Sequence, residues 1–261
     1  MADRASAAAG PPTATWRDLF HDGRAVYTTL VVLATAMHAL QILVIAIIMP
    51  TVVSDIGGAA YYTWPAMTYT VGSIVGAASV GPVWATLGRR RGLVVGAFAF
   101  LLGTVACALA PGMGALIAAR AFQGYAGGLI AGAAMALISG LFAPNLRTRV
   151  IAIYQGTWMV AQLCGPVVGG LFAEINWWRG SFWVVVPIIV GFACVAWLKV
   201  PEGRDAEAGR DSAFPFVRLA LLGCGVVAMA MIGPISETAL RIGLAIAALG
   251  LVWISLRLDH L

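Results

Sequence analysis

The chain has 261 residues, 61% of them hydrophobic and only 10% charged, with 16 Lys and Arg against 11 Asp and Glu and a formal net charge of +5. Soluble domains carry about 25% charged residues, so this composition excludes a water-facing globular fold. The excess of cations reports membrane topology rather than a nucleic-acid partner, because it segregates to one side of the predicted helices.

Apolar runs of about 20 residues are long enough to cross a bilayer. Eight occur, at approximately 28–53, 63–87, 93–111, 115–142, 151–173, 181–199, 215–233 and 239–257. Residues 1–26 ahead of them are polar and include Pro11-Pro12. The first run is too long for the core of a cleavable signal and is expected to be a retained helix. With the N-terminus in the cytoplasm, the cytoplasmic side holds Arg4, Arg17, Arg24, Arg89, Arg90, Arg91, Arg147, Arg149, Lys199, Arg204, Arg210, Arg218 and Arg257. The opposite side holds Arg179 and Arg241, and Arg120 lies inside a span. Both termini are then cytoplasmic. Tyr61, Tyr62 and Trp64, and later Trp177, Trp178 and Trp183, stand at outer helix starts, where a membrane-interface belt is expected. Cys107, Cys164, Cys194 and Cys224 lie in apolar spans at unrelated spacing and read as small buried packing residues, not as a disulfide framework or a metal site.

In the first helix His38 and Gln41 are one turn apart, with His38 near the middle of the bilayer. A histidine there either carries a proton or stays neutral and hydrogen-bonded. Between the second and third helices runs Gly81-Pro82-Val83-Trp84-Ala85-Thr86-Leu87-Gly88-Arg89-Arg90-Arg91-Gly92, a sharp basic turn. The fourth helix contains Arg120-Ala121-Phe122-Gln123-Gly124. Arg120 and Gln123 share a helical face that Gly124 and Gly127 continue. A charge within the bilayer costs roughly 2.5–3.5 kcal/mol on insertion scales and usually faces the bundle interior. Arg120 is also about five residues from the outer end, within snorkelling reach. Both readings stand at this point. On the fifth helix Gln155, Trp158, Gln162, Pro166 and Gly169 recur every three or four residues and share one face. Its stretch Gly165-Pro166-Val167-Val168-Gly169-Gly170 is tolerable in a membrane helix and suits close helix packing. A hydrophilic stretch near 201–212 precedes the last two helices, whose connection contains Gly233-Pro234.

Together these stretches resemble the major facilitator superfamily. The basic turn resembles its motif A, the Arg120 stretch its motif B, and the Gly165–Gly170 stretch its motif C, the signature of the antiporter branch. Met49-Pro50-Thr51-Val52-Val53 with Asp55-Ile56-Gly57-Gly58, and Asn176-Trp177-Trp178-Arg179-Gly180-Ser181-Phe182, look like the fourteen-helix drug:proton antiporters. The resemblance covers roughly residues 27–260. It implies an all-α polytopic membrane bundle: a cytoplasmic tail at 1–26, a six-helix N-terminal domain at 27–199, a cytoplasmic linker at 200–214, and two extra transmembrane helices with a short tail at 215–261. It also implies export of a small organic or drug-like molecule by alternating access, in exchange for protons. His38, Gln41, Arg120, Gln123, Gln155 and Gln162 would then line the substrate or proton pathway. Gly81, Gly88, Arg89, Arg90, Gly124, Gly165, Pro166, Gly169 and Gly170 would serve gating and helix packing. Two positions depart from the family pattern, with Ala85 and Gln41 where it has acids, and all eleven Asp and Glu lie outside the expected spans.

The second six-helix bundle of that family has no counterpart here. Three expectations follow: a fragment of a longer chain, a half-transporter that pairs with a second half or with itself, or a membrane-embedded binding or scaffold protein. No Ser-His-Asp arrangement, metal cluster or phosphate loop is present in the sequence, so no enzymatic activity, metal or cofactor is expected. The expected partners are membrane lipid, a small-molecule substrate and protons. High alanine and glycine with short loops suggest a bacterial inner membrane.

Overall fold

A computed structural model describes residues 15–19, 21, 23–202, 221, 223–225 and 238–257. Most of the expected seventh span, most of the hydrophilic linker, the Gly233-Pro234 connection and most of the 1–26 tail lie outside the described residues. The described part is helical, without strands. Its helices are α1 (Arg24–Ile56), α2 (Trp64–Ala78), α3 (Val80–Leu87), α4 (Arg89–Ala108), α5 (Met113–Leu141), α6 (Pro144–Glu174), α7 (Gly180–Trp183), α8 (Val186–Lys199) and α9 (Thr238–Arg257). Five described segments are long and apolar enough to cross a membrane, and the bent pair α2–α3 makes a sixth. The chain is therefore a multi-pass integral membrane protein.

Two expected spans are broken, each for a local reason. The 63–87 run bends by 51° between α2 and α3. There the Ser79 hydroxyl donates to the Val75 carbonyl at 2.8 Å, a back-bond that bends helices. Pro82 then has no N–H to offer the carbonyl one turn back. The 181–199 run breaks after Trp183, four residues before Pro187, which likewise withholds a donor. Pro50 and Pro166 sit inside α1 and α6 without ending them. α6 begins at Pro144 rather than near 151, because a proline at the first turn gives up only a donor that the helix start leaves unused.

The core is formed by α1, α2, α4, α5 and α8. Met37, Tyr69, Phe100, Ile130 and Phe192 meet in one cluster, and Ile48, Val52, Leu116, Trp178 and Phe182 in a second towards the opposite end from Arg89–Arg91. α2 and α5 approach to backbone contact. A β-carbon at Gly76 would overlap the Tyr125 carbonyl, one at Gly124 the Tyr69 backbone, and one at Gly128 the Ser73 carbonyl. Small residues let membrane helices approach to backbone contact, where dispersion and weak hydrogen bonds replace the missing hydrophobic drive. Between α3 and α4, Gly88 takes φ +78° and turns the chain with no loop residue to spare.

Two expectations about surface residues are corrected. Trp178 is 1% exposed and is no belt residue, whereas Tyr61, Tyr62, Trp177 and Trp183 are exposed. Cys164, Cys194 and Cys224 face outward, and only Cys107 is buried. In lipid a cysteine on an apolar helix needs no burial, so its residue type does not report the core. Gly81 and Gly170 also have open space around them.

These contacts separate glycines that pack from glycines that do not. Gly128→Val is expected to lower the thermal midpoint of the detergent-solubilised protein, at a cost of about 3 kcal/mol or more. Gly170→Ala is expected to leave it unchanged or to raise it by up to about 1 kcal/mol of helix propensity. Equal melting of the two variants would refute the backbone contact between α2 and α5.

Candidate functional site

Arg120 lies on α5 and is fully buried. Burial inside the bundle, not snorkelling, is therefore its state. A guanidinium has five N–H donors and cannot be deprotonated in a protein, so it must find acceptors. Its Nε donates to the Pro65 carbonyl at 3.2 Å. Nη1 donates to Gln123 Oε1 at 2.7 Å and to Gln41 Oε1 at 3.4 Å, and Nη2 donates to the Gln41 carbonyl at 3.1 Å. The flat cation lies over the Tyr69 ring with Cζ 4.0 Å from its centre, an attraction to the ring quadrupole. Every one of these partners is uncharged.

The cluster extends in two directions. Gln123 Nε2 donates to Thr104 Oγ1 at 2.9 Å, and the Thr104 hydroxyl donates to the Phe100 carbonyl at 2.7 Å. The Cys107 thiol reaches Gln123 Oε1 at 3.5 Å. On the other side the Tyr69 hydroxyl and His38 Nδ1 are 2.9 Å apart, and His38 stands edge-on to Trp158 of α6 with ring centres 6.2 Å apart. The sequence brought forward His38, Gln41, Arg120 and Gln123, and these four converge. It missed Tyr69, which links them, and Thr104, which anchors Gln123. A tyrosine well inside an apolar span was the available signal, since its hydroxyl needs a partner there. One donor stays orphaned: Gln41 Nε2 is buried without a hydrogen-bond partner.

Gln155 and Gln162 do not join this cluster. With Tyr154, Trp158 and Met159 they line an open groove of about 470 Å³ on α6. Trp158 separates the groove from His38. Further along α6, a β-carbon at Gly165 would stand 2.8 Å from Leu43 Cβ, and one at Gly169 2.8 Å from Ile47 Cβ. These two glycines therefore seat α6 on α1, while Pro166 faces away and Gly170 is only partly covered.

Each end of the bundle carries a charged clasp. At the basic turn, Arg90 pairs with Glu202 at 3.3 Å and lies over the Trp197 ring at 4.2 Å, fastening α4 to the end of α8. Arg89 lies 5.6 Å from the centre of the Trp84 ring. At the opposite end, Asp55 Oδ2 accepts from Trp178 Nε1 at 2.9 Å and from the Arg179 guanidinium. Arg179 also donates to the Ala110 carbonyl at 3.2 Å. Asp55 and Glu174 fall within the last turns of α1 and α6, so these helices extend slightly past the acid-free spans expected. Among the described residues no group of three or more His, Cys, Asp or Glu could hold a metal ion.

The chain is similar to known proteins. The profile described as Major Facilitator Superfamily matches residues 31–258. A protein named probable multidrug-efflux transporter, from two strains of Mycobacterium tuberculosis, is 34% identical over 230 residues, covering 84% of this chain and 47% of its own length. The efflux pump dotC of Dothistroma septosporum is 32% identical over 160 residues, 60% of this chain and 27% of that protein. Multidrug resistance protein 3 of Bacillus subtilis is 29% identical over 156 residues, 60% of this chain and 30% of its own. The chain spans about half the length of the mycobacterial relatives and less of the others.

The cluster makes unequal demands on its members. Gln123→Leu strips Arg120 of its shortest acceptor and is expected to cost about 2–3 kcal/mol, the scale of a hydrogen bond to a charged group. Tyr69→Phe keeps the ring under the guanidinium and loses only the bond to His38, about 1 kcal/mol. Thermal melts in one detergent should rank the two in that order. The reverse order would mean that Arg120 is not held as described.

Proposed function

The chain belongs to the major facilitator superfamily, and from that premise we propose that it is one helical wall of an exporter of small organic or drug-like molecules that works by alternating access. The observation that carries this reading is the junction at Trp158. On one side of it lies a buried polar cluster around Arg120; on the other lies an open groove of aromatic and amide side chains on α6. Drug-sized ligands bind in clefts of roughly 300–1,000 Å³ that enclose most of their surface, and the groove, open and lined by α6 alone, would supply one wall of such a cleft. In transporters of this kind the substrate site lies between two repeats near the midplane. The exposed face of α6 is the wall that would meet a second bundle, supplied by further chain, by another half-transporter or by a second copy.

The remaining expectations belong to this reading. The six helices of 27–199 form the N-terminal bundle, and 215–261 contributes two further helices of the fourteen-helix layout. Both termini face the cytoplasm, in a bacterial inner membrane. Arg90, held by Glu202 and Trp197, steadies the inner end of the bundle. Gly165 and Gly169 let α6 and α1 shift against each other as the outer path opens.

Export is coupled to protons. His38 is the one side chain in the central cluster whose ordinary titration range lies near neutral pH. Tyr69 holds its Nδ1, and its ring stands nearly perpendicular to that of Trp158 in the groove wall. In pump-deficient bacteria producing the protein, a panel of neutral, anionic and cationic dyes is expected to include at least one that leaves faster than from control cells, and an uncoupler is expected to abolish the difference. Equal loss of every dye, with the protein confirmed in the membrane, would overturn the transport reading. His38→Gln is expected to flatten the pH dependence of efflux. An unchanged pH profile would reject His38 as the coupling group and leave transport standing.

A further inference from the structure

We propose that the α6 groove is a seat for aromatic molecules that carry no positive charge, and that buried Arg120 sets this preference. The inference rests on the reading of the groove as a substrate site and adds the chemical class that the site accepts.

Arg120 is a permanent cation whose hydrogen-bond acceptors are the Pro65 carbonyl, the Gln41 carbonyl and amide oxygens, and the Gln123 amide oxygen. These dipoles satisfy its N–H groups. They do not cancel its charge, and the field of a charge falls off more slowly than that of the dipoles around it. The nearest acids by sequence do not help. Asp55 sits in the last turn of α1, engaged by Trp178 and Arg179, and Glu174 ends α6. Among the described residues the bundle interior therefore holds one net positive charge.

Contacts between packed rings lead from that charge to the groove. The guanidinium lies on Tyr69, Tyr69 meets His38 at 5.6 Å between ring centres, and His38 meets Trp158 at 6.2 Å. Packed rings exclude water, and a dry path screens charge poorly. Protonation of His38 would add to the same sign. The groove itself offers two aromatic rings from Tyr154 and Trp158, a methionine, and the neutral amides of Gln155 and Gln162. Aromatic faces and amides suit a flat molecule with hydrogen-bonding groups. A cation there would meet Arg120 with no carboxylate to offset it, a penalty on the order of tenfold in affinity.

Gln41 provides the test. Its Oε1 is 3.4 Å from Arg120 Nη1 and its Nε2 has no partner. A carboxylate in its place would face the guanidinium, stay ionised beside it, and neutralise the interior without removing Arg120. The protein is reconstituted in nanodiscs of zwitterionic phosphatidylcholine. Binding is measured for three matched probes: 7-methoxycoumarin, its 3-carboxylate, and a derivative bearing a trimethylammonium group. Empty nanodiscs give the background. The neutral and anionic probes are expected to bind about tenfold tighter than the cation. Gln41→Glu should close or reverse that gap, Gln41→Met should keep it, and Trp158→Ala should weaken all three probes. A cation that binds wild-type protein as tightly as the neutral probe overturns the proposal, whether or not any variant folds. So does a gap that persists in folded Gln41→Glu protein. No binding above empty nanodiscs, or binding indifferent to Trp158→Ala, removes the groove as a substrate seat and takes the underlying reading with it.

Discussion

The bundle is arranged around a cation that cannot leave the membrane interior. Arg120 draws acceptors from α1 through Gln41, from α2 through Pro65 and from its own helix through Gln123. Gln123 passes the connection to α4 through Thr104. Four helices thus share one hydrogen-bonded cluster. Failure to pair any of these groups in a dry interior would cost more than a neutral hydrogen bond returns. That asymmetry fixes the rotation of each helix about its axis more sharply than lipid-facing apolar packing could.

The cluster is possible only because α2 and α5 come together to backbone distance. Gly76 and Gly128 allow that approach, and it brings the Pro65 carbonyl and the Tyr69 ring onto the Arg120 side chain. α6 is held differently. It is seated on α1 at Gly165 and Gly169, while Met159, Leu163, Val167 and Leu171 stay exposed. The tight part of the fold is therefore the part that buries charge, and the loosely covered helix is the one that carries the groove.

Much of this was legible in the sequence, for identifiable reasons. Length and apolarity locate membrane helices because the bilayer imposes both, and the six spans up to Lys199 appear close to where they were expected. Breaks within a span were not legible from apolarity alone. They depend on Ser79 bonding back to Val75 and on the donor missing at Pro187. The polar residues His38, Gln41, Arg120 and Gln123 stood out because each is costly in lipid. Their convergence could not be read, since it depends on helix rotation. Gln155 and Gln162 looked equivalent to them by periodicity, yet they line the groove on the far side of Trp158. Trp178 looked like an interface anchor and instead is buried and donates to Asp55 in the last turn of α1. Residue type could not distinguish these two roles, because both place an indole near a helix end.

The placement of acids completes the electrostatic picture. Glu202 meets Arg90 at one end of the bundle and Asp55 meets Arg179 at the other. These pairs are partly exposed to solvent, where ion pairs contribute little to stability. Their effect is to fasten neighbouring elements: α4 to the end of α8, and the end of α1 to the α6–α7 connection. The cation at the centre, where a counter-charge would act most strongly, has amides and carbonyls instead. Hydrogen bonding alone does not explain that choice, because Gln41 leaves a donor unpaired where a carboxylate would leave none. An acid at that position would better satisfy Arg120 and would erase the field it projects towards α6. An amide keeps the side chain held and the charge unneutralised. The orphaned Gln41 nitrogen is thus the local cost of an interior that stays positive, and the groove beside Trp158 is the surface on which that charge is felt.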